Sequence, residues 1–136
     1  MRRLVPLFVV VLLVIPQLWA QEKAAQSDEK AQDSTIVFYR EKHFTGSALK
    51  PSIYVDDKEI DRLSNGRWLS VSVPPGKQSL SSSAKNQAHT LIETSAGETV
   101  YVQMIIATGT WRGGGRLIQV DATEAKDKIA KLKPLH

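Results

Sequence analysis

Three hydrophobic patterns follow one another along the chain. Leu4 to Ile15 is apolar throughout. Residues 21–34, QEKAAQSDEKAQDS, mix small, charged and amide side chains without an aliphatic stripe. From Thr35 onward, short segments rich in β-branched and aromatic residues are separated by turn-forming residues, the pattern of successive strands. The segments are Thr35 to Arg40, Leu49 to Val55, Ile60 to Leu63, Arg67 to Val73, Gln78 to Ser83, Ala88 to Thr94, Thr99 to Ala107 and Arg116 to Val120. Two of them alternate cleanly. Leu69, Val71 and Val73 share one face, opposite Trp68, Ser70 and Ser72. Val100, Val102, Met104 and Ile106 share another, opposite Tyr101 and Gln103. The aliphatic sets, with Val71, Val100, Val102 and Ile106 mutually close, are expected to form the core, leaving Gln103 far less sensitive to truncation than Val102.

The segments between them carry turn chemistry. Asp56-Asp57-Lys58 and Ser95-Ala96-Gly97-Glu98 are polar turns. Asn65-Gly66 tolerates positive φ at both positions and predicts a tight hairpin. Pro74-Pro75-Gly76 suits a type II turn, in which proline presets φ and glycine accepts a positive value. Strands spaced by about 8 to 12 residues with such turns predict a mainly β protein, an antiparallel β-sandwich of about seven to eight strands.

The final segment changes period. Asp121 with Glu124 three residues on resembles a capping box, and Ala125, Ile129 and Leu132 form an apolar stripe. Glu124 with Lys128, and Asp127 with Lys131, stand at i,i+4 in the favourable order. A helix is therefore predicted at 122–133, ended by Pro134. A helix this short needs tertiary packing, so its stripe belongs on the sandwich as a strap, where it can also cover Trp68 and Tyr101.

Met1-Arg2-Arg3, the apolar run and the small Ala20 follow the order of a secretory signal peptide. The run is shorter than the roughly 20 residues that span a bilayer, which argues against a retained anchor. The domains expected are a signal peptide at 1–20, cleaved to give Gln21 as the new N-terminus, a polar linker at 21–34, and a β-sandwich with its closing helix at 35–133. The location expected is periplasmic or secreted, without stable membrane insertion after cleavage.

The ordered pieces IVFYREKHFTGSAL, IYVDDKEIDRLSNGRWLSVSVPPGKQSL, TLIETSAGETVYVQM and GRLIQVDATEAKDKIAKLK carry a resemblance. Together, with W-x-x-x-x-V-P-P-G and A-G-x-x-x-Y-V among them, they resemble a bacterial family of exported, often lipoprotein-like domains of unknown function. That family is akin to PEGA-type β-sandwich modules of cell envelopes. The resemblance covers residues 36–133 and implies a β-sandwich with a closing helix. It brings no catalytic residues. Many relatives carry a lipobox cysteine; this chain has no cysteine, so lipid anchoring at such a residue is excluded.

Composition narrows the chemistry further. Without cysteine there are no disulfides, thiolate ligands or cysteine nucleophile. Removing Arg2 and Arg3 from the 18 basic side chains leaves 16 against 14 acidic ones, a net charge of +2, too little to argue for nucleic acid. His43, His89 and His136 share no metal-ligand spacing, and no G-x-S-x-G occurs. Asp56, Asp57, Glu59 and Asp61 lack the glycine and regular spacing of a calcium loop and read as a solvated turn. Gly113-Gly114-Gly115 lacks the ending of a phosphate loop. No cofactor, metal or catalytic residue is expected, and the protein is read as not an enzyme.

Trp111, Arg112 and Arg116, around the three glycines, form the candidate binding site. Trp111 either plugs the open end of the core or presents an indole that stacks on a sugar or partner side chain, with Arg112 and Arg116 pairing an anionic group. The first function expected is an exported, non-enzymatic accessory or structural module of the envelope. The alternative is a glycan- or peptide-binding module using the Trp111 loop; an enzyme is a remote third reading that would need a pocket joining His43 or His89 to a carboxylate and a serine. The partner expected is an envelope protein or a glycan.

Overall fold

A computed structural model describes residues 32–82, 89–106 and 115–136. The expected signal peptide, all of the linker up to residue 31, and Trp111 and Arg112 lie outside the described residues.

The described chain is mainly β, with nine strands in two sheets and one helix. The strands are β1 (Ser34–Tyr39), β2 (Ser52–Val55), β3 (Lys58–Arg62), β4 (Arg67–Val73), β5 (Gly76–Ser82), β6 (Thr90–Thr94), β7 (Thr99–Ile106), β8 (Gly115–Val120) and β9 (Lys133–Pro134). The helix, α1, is Ala122–Ile129. One sheet has the order β8-β7-β1-β4-β9 and the other β3-β2-β5-β6.

The core lies between the sheets and is built from Ile36, Phe38, Val73, Val100, Val102, Met104 and Leu117 of one and Ile53, Val55, Leu80 and Ile92 of the other, with Leu63 between β3 and β4. Leu69, Val71 and Ile106 are partly buried against it. The faces read from the alternation in β4 and β7 are therefore the core faces. The two sheets are also tied by polar contacts along β8: Thr90 Oγ1 donates to the Leu117 carbonyl at 2.8 Å, and Gly115 N donates to Ser82 Oγ at 3.2 Å.

Two features depart from an all-antiparallel plan. β1 pairs with β4 antiparallel but with β7 parallel, and β9 pairs with β4 parallel. The strongest hairpin signal also marks something else. Asn65-Gly66 joins β3 to β4, which lie in different sheets, so it turns a corner between layers. Pro74-Pro75 and Ser95 to Glu98 lead between sheets in the same way. The tight hairpin is instead Asp56-Asp57, with Val55 opposite Lys58 and both aspartates at positive φ, 49° and 64°. Local φ preference marks a reversal but does not choose between pairing onward and crossing layers; the partner strand does.

The helix is shorter than 122–133. Asp121 caps it, its carboxylate accepting from Thr123 N at 3.0 Å, and Glu124 pairs with Lys128 at 2.9 Å. The chain leaves the helix after Ile129, and among the described residues Asp127 and Lys131 form no ion pair. Lys133-Pro134 then adds to the edge of β4. Proline suits an edge strand because it has no N–H to offer. The C-terminal tail, rather than the helix, approaches Trp68: Trp68 is opposite Pro134, and Leu135 N donates to the Trp68 carbonyl at 2.9 Å. Tyr101 is half-buried.

Ala125 is fully buried, while Ile129 and Leu132 are half-buried. The helix also accounts for the burial of Gln103, expected to be tolerant of change. Tyr39 Oη donates to Gln103 Oε1 at 3.4 Å, and Gln103 Nε2 donates to Glu41 at 2.9 Å. Lys128 of α1 stands 3.8 Å from the same carboxylate. Burial pushes the Tyr39 phenol pKa up, with Lys128 acting in the opposite direction. Both faces of β7 are thus covered near its middle. Val102→Ala is expected to cost on the order of 1–3 kcal/mol through lost core packing. Gln103→Ala is expected to cost a similar amount, about 1–3 kcal/mol, by leaving the buried Tyr39 hydroxyl without its acceptor. Urea unfolding of the two variants checks this; a Gln103→Ala midpoint at the wild-type value would show that the network contributes nothing.

Candidate functional site

A recess lies where β1 ends before β7 does. β1 runs beside β7 as far as Tyr39 opposite Gln103, whereas β7 continues to Ile106 along β8. Residues 41–51 leave the sheet there and fold against the exposed length of β7. Gly46, at φ 76°, turns this loop close to the strand; a Cβ on it would lie 3.2 Å from Ile106 Cγ2. A side chain at that position would crowd the strand and strain the backbone together.

Arg40 holds the loop from inside. It follows β1 directly and is 2% exposed. Nη1 donates to the carbonyls of Leu49 at 2.6 Å and Leu63 at 3.3 Å, and Nη2 donates to that of Gly46 at 2.6 Å. Burial pushes its pKa below the ordinary guanidinium value, but arginine remains charged in proteins. Asn65 fastens the other side, accepting from His43 N at 3.0 Å and donating to the His43 carbonyl at 2.9 Å. The Asn-Gly signal therefore serves the loop as well as the chain reversal.

The result is an open pocket of about 330 Å3, lined by Arg40, His43, Phe44, Thr45 and Gln103 to Ile106. Its volume is near the lower end of the roughly 300–1,000 Å3 of small-molecule sites. Phe44 is 97% exposed and Ile105 42%. An aromatic side chain left in water at the mouth of a pocket is unusual for a residue whose only task is packing.

Of the expected site residues, Arg116 alone is described. It is exposed and directly opposite Ile105. Directly opposed residues on neighbouring strands share a face, so Arg116 stands on the Ile105 side of the sheet, beside the pocket. Arg40 and Phe44 were missed by sequence reasoning. Arg40 reads as the polar end of a strand, and Phe44 as one more aromatic residue before a turn. The parallel pairing that ends β1 beside the middle of the longer β7 was not visible in either segment.

The other polar clusters offer less. Ser79 Oγ lies 3.1 Å from His89 Nδ1, but Asp56 Oδ1 accepts from Ser79 N at 2.9 Å. The carboxylate thus engages the serine backbone rather than the imidazole, so it does not orient a base as a catalytic triad requires. His136 Nε2 and Asp61 Oδ2 are 2.6 Å apart at the C-terminus. That hydrogen bond, with the Arg62 N–H second, holds the Asp61 carboxyl below the usual carboxylate range. Among the described residues, no three His, Asp or Glu side chains are grouped to hold a metal ion.

The fold and pocket define a small two-sheet β domain with a strapping helix and an open, partly apolar recess containing a buried arginine. The chain belongs to the family described as "Protein of unknown function (DUF2846)", whose model matches residues 30–115. It is also 31% identical over 111 residues to a Haemophilus influenzae protein described as "Uncharacterized protein", covering 81% of this chain and 65% of that one. The chain thus spans just under two thirds of that relative's length.

Proposed function

We propose that this is an exported, non-enzymatic domain of the bacterial envelope, similar in kind to PEGA-type modules, that acts by binding through the pocket at the end of β1 and β7. The charged start, apolar run and Ala20 support export. The observation that carries the binding reading is Phe44, almost fully exposed at the mouth of a pocket built around Arg40. The partner we propose there is an envelope protein or a glycan.

Two measurements test the reading. Expression from the native start should yield protein beginning at Gln21 in the periplasmic or secreted fraction; a protein beginning at Met1 in the membrane fraction overturns export. A 15N-labelled domain titrated with an extract of envelope material should show shifts concentrated at residues 40–46 and 103–106. Shifts confined to the β3–β6 sheet, or none at all, overturn binding at this pocket.

A further inference from the structure

We propose that the pocket receives the oxyanion head of a small amphiphile, paired with Arg40, while Phe44, Met104, Ile105 and Ile106 take its short apolar part. The proposal rests on the binding reading above and specifies its ligand chemistry.

The argument begins with the charge of Arg40. A buried cation is costly unless it is hydrogen-bonded and balanced. Its three carbonyl bonds use three of the five guanidinium N–H groups, leaving Nε–H and one on Nη2. Carbonyl oxygens satisfy donors but do not cancel a charge. No carboxylate pairs with Arg40 among the described residues. Glu41, next in the chain, is engaged by Gln103 and stands near Lys128. Among the described residues, then, the pocket has a fixed positive charge in its wall without a counter-charge. An oxyanion supplies that charge and accepts charge-assisted hydrogen bonds that a neutral ligand cannot match.

The rest of the pocket restricts the group attached to that oxyanion. Phe44, Met104, Ile105 and Ile106 supply most of the remaining lining. A free inorganic anion would leave that apolar surface wet, whereas a short hydrocarbon chain covers it. Arg116, exposed and opposite Ile105, puts a second cation on the same face of the sheet, outside the lining itself. The modest volume favours a free small ligand over the head group of a bilayer lipid.

The test is a head-group series on the full mature domain: octanoate, octanol and octylammonium, followed by calorimetry and by 15N shifts. Octanoate is expected to bind roughly tenfold to a hundredfold more tightly than octanol, the factor for hydrogen bonds to a charged group. Octylammonium is expected not to bind. Phe44→Ala should weaken octanoate several-fold while leaving the melting temperature unchanged. Equal affinity for octanoate and octanol, or preference for octylammonium, overturns the head-group assignment. Binding to phosphatidylglycerol vesicles without binding of octanoate overturns the free-ligand assignment. Absence of octanoate binding while envelope extract still shifts residues 40–46 overturns this ligand class and leaves the binding site standing.

Discussion

Replacing Arg40 with methionine is expected to destabilise the domain by about 3 kcal/mol or more. Each hydrogen bond from a charged donor contributes roughly 1.5–3 kcal/mol. Arg40 donates to Gly46, Leu49 and Leu63, so its loss releases the loop at two points and its junction with β3 at a third. Part of the loss is recovered because the freed carbonyls at 46 and 49 can reach water. Arg40→Lys is expected to rescue little. One ammonium keeps the charge but cannot span three carbonyls with the planar fork of a guanidinium. Denaturant unfolding of both variants checks this. A Lys variant as stable as wild type would show that charge alone, and not the fork, holds the loop.

Phe38→Ala is expected to cost about 3–5 kcal/mol, the range for removing a buried aromatic ring. Phe38 is fully buried in β1, opposite Leu69 on one side and Val102 on the other. Three strands close around the space its ring would leave, so little collapse can fill it. At about 4 °C or more per kcal/mol for a domain of this size, the melting temperature should fall by roughly 12 °C or more. Phe44→Ala provides the contrast. That ring is 97% exposed, and its removal should stay within about 0.5 kcal/mol of wild type. A large effect at Phe44 would show that the loop closes over it in solution.

These two phenylalanines, six residues apart, show how legible the protein is in its sequence. Phe38 lies in a run of β-branched and aromatic residues, and its burial follows from that run. Phe44 has the same side chain, but its exposure depends on where β1 stops relative to β7. Gln103 teaches the same lesson from the polar side. Its period-two position correctly places it away from the sandwich core, but α1 covers that face too and buries it with Tyr39.

Strand positions, the inward faces of β4 and β7, the capped helix after Asp121 and the mainly β class were set by local composition and periodicity. These properties depend on the geometry of a strand or helix and on the turn residues beside it. Pairing direction, the crossing of Asn65-Gly66 between layers, the addition of Lys133-Pro134 to the edge of β4, and the pocket around Arg40 were decided by the tertiary structure. Each requires two segments far apart in the chain to meet. Arg40 collects carbonyls from residues 46, 49 and 63 only because β1 ends beside a longer β7 and the loop turns back at Gly46. A segment's own pattern says which of its faces is apolar, but not which distant chain will cover that face or leave a charge without a counter-charge.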